Sequence, residues 1–367
     1  MTNPAADSLF QPFESEKLAL KNRVVMAPMT RSFSPNGVPT EDVAAYYARR
    51  AKHGVGLIIT EGTTVNQSGA SFDANIPTFH GDALAGWKKV VDAVHAVGGK
   101  IAPQLWHVGM TRKVGTGPNP DAPSVGPSGL VLPGKKFGEP MTKAEIDETI
   151  AAFGQAAGDA KELGFDAIEI HGAHGYLVDQ FFWEGTNERD DAFGGDMLKR
   201  TTFAAEIVKA CRAKVGEDFP IILRFSQWKQ QDFAARLAAT PDDLQAFLES
   251  LVEAGVDIFH CSTRRYWEPE FEGSDLNLAG WTRKLSGKPA ITVGSVGLDG
   301  EFIASMAGAD AGVSDITNLI GRMDAGEFDL VAVGRALIAD YEWAEKVQSG
   351  RYDDLIPFTK EAEKQLV

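Results

Sequence analysis

The chain of 367 residues carries 51 acidic against 36 basic side chains, a net charge of −15, with 44% hydrophobic and 24% charged residues. That length is ample for one large α/β barrel or for two smaller domains, and the composition is that of an ordinary soluble globular protein. An acidic balance disfavours nucleic acid and anionic membranes as partners, while leaving room for a local basic pocket around a phosphate. Cys211 and Cys261 are the only cysteines, too few for an iron–sulfur cluster and sparse for a disulfide framework, which points to a reducing, cytoplasmic setting. Residues 1–7 have neither a basic nor an apolar leader region, and no apolar run approaches the roughly 20 residues of a membrane helix. Neither a secretion signal nor a membrane span is expected.

In chain order, residues 22–29 read as a first buried strand stopped by Pro28. Thr40 caps a helical stretch over 43–52, and 56–60 form a second apolar strand. A helix over 84–97 ends at Gly98 and Gly99, and the third strand covers 101–105. A long segment rich in glycine and proline follows, 109–140, whose length suggests a lid. Thr142 and Glu145 have capping-box spacing at the head of a long alanine-rich helix reaching Leu163. Further strands are expected over 167–170, 221–225, 257–261, 290–293 and 330–333, with helices over 197–214 and from the Thr240-Pro241 cap. Eight apolar strands alternating with helices predict a (β/α)8 TIM barrel, class α/β, with a long lid insertion after strand 3. A doubly wound open sheet is the alternative, but neither Gly-x-Gly-x-x-Gly nor a phosphate loop ending in Gly-Lys-Ser/Thr is present.

Strand ends of such a barrel face one pocket, so they form the candidate site. The stretch after strand 4 is the most informative: His171, His174 and Tyr176 among flexible glycines. Neutral imidazoles donate N–H groups to a polarised oxygen, and a phenol exchanges a proton. Two satisfied core histidines, or half of a zinc site, are the bland readings; no His-Glu-x-x-His or Cys-x-x-Cys string accompanies them, and no metal is expected. Pro28, Met29 and Thr30 follow strand 1, Gln104 and Trp106 end strand 3, and Arg224 lies in strand 5. Gly294 and Ser295 follow strand 7, and Gly334 and Arg335 follow strand 8, the usual place for a phosphate. Together these suggest a flavin across the barrel mouth, with Gln104 facing an imide-like edge.

Over nearly its whole length the chain resembles the Old Yellow Enzyme family of FMN-dependent ene reductases. The motifs that carry the resemblance are 20–31, Gln104-Leu105-Trp106, 171–181, the Asn187-x-Arg189-x-Asp191-x-Phe193-Gly194-Gly195 run, and 329–340. The resemblance implies a single FMN-binding barrel domain over 1–367. It implies that Thr30, Gln104 and Arg224 touch the flavin ring, that Ser295, Gly334 and Arg335 hold its phosphate, and that Asn187, Arg189 and Asp191 are structural. His171 and His174 would hold a substrate oxygen, and Tyr176 would protonate the carbon opposite to hydride from flavin N5. NADPH or NADH would enter the same pocket first, in a ping-pong scheme, and the substrate would be a small electrophilic alkene. Trp106, Trp267, Tyr266 and Trp228 are candidates for the pocket wall. Monomer and homodimer remain equally open. Thr30 stands where one branch of the family has cysteine, and residues 182–186 depart from the family pattern. The rival activities are another FMN barrel oxidoreductase, such as a 2-hydroxy-acid oxidase, whose catalytic histidine with carboxylate-gripping arginines the His-x-x-His-Gly-Tyr string does not resemble, and a phosphate-binding barrel lyase, whose expected lysine or carboxylate metal cluster is not found at the strand ends.

Overall fold

The computed structural model describes residues 6–300 and 308–367. The leader reading of residues 1–5 therefore lies outside the described residues. Eight parallel strands close on themselves: β1 (Val24–Met26), β2 (Leu57–Thr64), β3 (Lys100–Trp106), β4 (Ile168–His174), β5 (Ile221–Lys229), β6 (Ile258–Ser262), β7 (Ala290–Val293) and β8 (Leu330–Val333). Their order around the barrel is their order in the chain, with β8 pairing β1 through Val331↔Val24 and Val333↔Met26. The expected TIM barrel is thus the observed fold.

Helices cover the outside, and local sequence explains their ends. α1 (Glu41–Lys52) begins where the Thr40 hydroxyl accepts the Val43 N–H. α2 (Ala83–Ala96) buries Trp87, whose indole packs on Phe79 and Phe165. α3 (Lys143–Leu163) starts in the Thr142/Glu145 capping box and ends at Gly164 in the left-handed region. A second box, Thr240 with Asp243 and Pro241 in the first turn, opens the helix Pro241–Ala254. Each cap supplies about 1 kcal/mol and fixes where the chain turns back toward the barrel.

The bottom of the barrel is apolar. A two-stranded hairpin, Phe13–Glu14 against Ala19–Leu20, contributes Phe13 and Leu20 to one buried cluster with Ile222, Ile258 and Ile291. The insertion between β3 and α3 contains one 3-10 turn (Gly109–Thr111) and a small antiparallel pair, Leu130–Leu132 with Lys135–Lys136. Buried Arg112 ties it down by donating to the carbonyls of Ser71, Ala122 and Thr116. No residue of 109–140 lines the cavity at the barrel mouth. Among the described residues no helix is long and apolar enough to cross a membrane.

Candidate active site

A cavity of about 420 Å³ opens at the C-terminal ends of the strands. That size suits a small ligand. Its wall includes Pro28, Met29 and Thr30 after β1, Gln104 and Trp106 on β3, His171, His174 and Tyr176 on and after β4, and Arg224 on β5. Gly294 and Ser295 after β7 and Gly334 and Arg335 after β8 complete its far end. The structure therefore brings together the residues expected at the site except Trp267 and Tyr266. After β6 the chain turns away, with the Tyr266 N–H donating to the Gly294 carbonyl, and Trp267 sits outside the cavity, 37% exposed and edge-on to Tyr266. Tyr266 is buried behind the wall and does not line it either.

Directly under the cavity lies a polar layer, inside a barrel that is apolar below. Gln104 donates its Nε2 to Glu169 at 2.7 Å, and the other oxygen of Glu169 lies 2.7 Å from His260 Nδ1, with Glu169 and His260 fully buried. One Nε2 hydrogen is committed to Glu169, which leaves the Gln104 carbonyl to accept an N–H and the second Nε2 hydrogen to donate to a ligand. Beside it, Arg224 is pushed below its usual pKa by burial, with Glu169 offsetting the cost. Its Nε has no partner, nor has Nε2 of His260. The Arg224 Nε–H is thus an unmet buried donor and Nε2 of His260, whose Nδ1–H is given to Glu169, an unmet acceptor, and buried groups of this kind are expensive unless a ligand meets them. An acceptor-rich planar group with an imide edge, such as a flavin ring, fits this donor set, and Ser295 with Arg335 at the other end suits its phosphate.

β4 does not end before its histidines. It runs on to His174, because its ladder with β5 resumes after a register shift: His171 faces Arg224, Gly172 faces Phe225, and His174 faces Lys229. The resulting bulge places His174 at φ +65°, a conformation costing on the order of 1–3 kcal/mol for a non-glycine residue. Two hydrogen bonds hold it there, its N–H donating to Ser226 Oγ at 3.0 Å and its carbonyl accepting the Gln230 N–H at 3.3 Å. Beneath the bulge a fully buried ion pair, Lys229 with Asp179 at 2.5 Å, fixes the next turn, since the Gly175 N–H donates to the same carboxylate. Burial pushes Asp179 up and Lys229 down, each effect offset by the partner.

Four rings meet on this scaffold. His171 and His174 are edge to face at 5.2 Å between centroids, His171 and Tyr176 at 5.1 Å, and Trp106 stacks on His171 while touching Tyr176 edge-on. Desolvation, reinforced by the Arg224 charge, holds both histidines well below their usual pKa, so they are neutral at pH 7. The Ala173 N–H donates to His171 Nδ1 at 3.3 Å, which leaves the His171 proton on Nε2. Burial raises the Tyr176 phenol, countered in part by a hydrogen bond from Gln230, so it carries its proton. Trp106 reaches this position because residue 62 is glycine: a Cβ there would lie 2.4 Å from the indole.

Several wall residues had no sequence signal. Phe72, from an irregular segment, meets Trp106 edge-on at 5.8 Å, and Gln230 and Glu363 also face the cavity. Trp228 lies over His174 at 4.7 Å, as expected of a wall residue. His107, which follows Trp106, turns away from the cavity; burial takes it down to about 3 while its Nδ1 accepts the Gly109 N–H. Asn187 and Arg189 bind backbone carbonyls, including those of Phe181, Phe193 and Met141. No cluster of three or more potential metal ligands occurs among the described residues.

Comparison with known proteins agrees with this geometry. The sequence profile of the NADH:flavin oxidoreductase / NADH oxidase family matches residues 8–354. The chain is 35% identical over 95% of its length to an NADH oxidase of Thermoanaerobacter brockii, covering 52% of that protein. It is 36% identical over 68% of its length to 12-oxophytodienoate reductase 7 of Oryza sativa subsp. japonica, covering 63% of it. The chain thus spans about half to two thirds of the length of these curated relatives. The solved Old Yellow Enzyme from Pichia sp. AKU4542 superposes with a TM-score of 0.81 at 25% identity, covering 99% of this chain and 92% of that one. The profile, the relatives and the barrel mouth agree: the chain belongs to the NADH:flavin oxidoreductase / NADH oxidase family, the Old Yellow Enzyme family of FMN-dependent oxidoreductases.

Proposed function

We propose that the chain is an ene reductase which uses NADPH or NADH to reduce the activated C=C bond of α,β-unsaturated carbonyl or nitro compounds. The observation that carries this reading is the meeting of two neutral imidazoles and one protonated phenol in a single cavity. The likeness to a 12-oxophytodienoate reductase supports an unsaturated oxo compound as substrate. Residues 1–367 act as one FMN-binding barrel domain in this reading.

Pro28, Met29, Thr30, Gln104, Arg224, Gly294, Ser295, Gly334 and Arg335 would hold FMN. Bound there, FMN supplies the hydride that no side chain can supply. With FMN held there, the Gln104 carbonyl would accept the imide N–H and the Arg224 guanidinium would supply positive charge to the ring. At position 294 a side chain is excluded, since a Cβ would lie 2.6 Å from Thr263 Oγ1, and the bare backbone can approach a phosphate closely.

His171 and His174 bind the carbonyl or nitro oxygen of the alkene. As neutral donors they stabilise negative charge that grows on this oxygen when the β-carbon takes hydride, a contribution of about 3–4 kcal/mol per donor in comparable oxyanion sites. Tyr176 Oη delivers its proton to the α-carbon. Trp106 and Trp228 exclude water around the histidines. Nicotinamide and alkene occupy the same cavity in turn, a ping-pong scheme, because one set of oxygen-binding donors serves both.

Tyr176→Phe tests this reading. Reduction of 2-cyclohexenone is expected to fall by about 100-fold or more, while bleaching of the flavin by NADPH stays within about threefold of wild type. Equal loss in both half-reactions would remove Tyr176 as the proton donor.

A further inference from the structure

The two histidines do not obtain their tautomers in the same way. His171 is fixed locally, since its Nδ1 accepts the Ala173 N–H and its proton must sit on Nε2. His174 has no such backbone partner. Its Nε2 instead lies 2.8 Å from Ser262 Oγ, on β6, 88 positions along the chain. The same oxygen receives the Arg224 Nη2–H at 3.2 Å.

We propose that Ser262 is a positioning residue that carries the donor direction of Arg224 to His174 and so fixes His174 as its Nδ1–H tautomer. A guanidinium only donates, so Ser262 Oγ is an acceptor toward Arg224 and its own proton is free to be given away. The lone pair 2.8 Å away on His174 Nε2 takes it. In the reverse assignment Nε2–H would donate to Oγ, and the hydroxyl proton of a residue only 3% exposed would find no acceptor among the described residues. Such a buried unmade bond costs on the order of 1–3 kcal/mol. With Nε2 occupied, Nδ1–H is the donor His174 offers to the cavity it lines.

The surroundings keep the ring in the orientation the relay needs. Trp228 covers one face at 4.7 Å, and its indole N–H donates to the Ser262 carbonyl at 3.2 Å, so plate and relay are tied together. The left-handed backbone at His174 is pinned by Ser226 and Gln230. Arg224 therefore faces both ways. It places charge at the cavity floor and, through one hydroxyl, prepares the donor at the substrate oxygen. This assignment rests on the reading above that both histidines hold that oxygen, and it specifies which nitrogen of each does so: Nε2 of His171 and Nδ1 of His174.

The test is long-range 1H–15N correlation NMR of the FMN-loaded enzyme labelled with 15N-histidine, with His174 assigned from the signals missing in His174→Gln. Wild type is expected to show His174 protonated at Nδ1 and His171 at Nε2. Ser262→Ala should move His174 to a tautomer mixture or to Nε2–H without changing His171, and Ser262→Thr should restore Nδ1–H. Enone kcat/KM should fall about 10- to 100-fold in Ser262→Ala and recover in Ser262→Thr. An Nε2–H His174 in wild type overturns the proposal without any variant, and so does a His174 tautomer unchanged in Ser262→Ala. The nitrogen signals are independent of turnover, so a wild type with the expected tautomers but no enone reduction would count against the functional reading alone.

Discussion

The floor and the mouth of the barrel are built from the same strands, two residues apart. On β5 Ile222 belongs to the apolar floor and Arg224 to the cavity; on β6 Ile258 lies below and His260 above; on β3 Ala102 precedes Gln104. Side chains two positions apart share a face of a strand, so these pairs point into one interior at successive depths. In the floor every inward group is apolar and covered by the Phe13/Leu20 hairpin. One layer higher, buried Arg224 and His260 keep nitrogen atoms without partners. The floor is close-packed and stabilises the fold. The mouth forgoes part of that stabilisation and keeps donors ready for a ligand.

Breaking the floor should give the largest effect. Ile258→Ala is expected to lower stability by about 2–5 kcal/mol by opening a cavity, while the folded fraction keeps its enone kcat. Chemical denaturation with parallel rate measurements checks it, and a loss of activity without a loss of stability would dissolve the distinction between the layers. Breaking the mouth should do the opposite. Arg224→Met removes a buried cation whose Nε has no partner but whose charge also offsets that of buried Glu169; flavin affinity and enone reduction are expected to collapse, with a smaller loss of apoprotein stability than Ile258→Ala causes. A variant that unfolds would show that the arginine is a structural element.

The smallest effect per residue is a pH dependence. His107, His171 and His174 are all held below their usual pKa, so the folded chain refuses protons that the unfolded chain accepts. The stability they allow is fully present above about pH 6.5 and is lost progressively as pH falls below it. Urea midpoints at pH 7.5 and 5.5 should therefore differ, with the lower value in acid and an unchanged slope. Identical midpoints would mean that these imidazoles are not kept neutral.

Sequence alone revealed the barrel because eight apolar runs, the Thr142 and Thr240 caps and the glycine stops are all local signals. It also gathered the strand-end residues, since closure of a barrel turns positions in a chain into positions around one cavity. It stopped β4 at Ile170, because a run of glycines and histidines reads as loop; only pairing with β5 across a bulge keeps His171–His174 in the sheet. Trp267 was misplaced by its nearness in sequence to His260, and the turn after Ser262 carries it outward. The Glu169–His260 and Ser262–His174 contacts join residues 91 and 88 positions apart, and no pattern along the chain announces them.

Whether the chain is an ene reductase is decided by an anaerobic spectral titration of the purified protein. A bound-flavin absorption band is expected that bleaches with NADPH or NADH and recovers in full when 2-cyclohexenone is added. A protein that cannot be loaded with FMN, or a bleached flavin that enones and nitroalkenes leave reduced, would contradict that function.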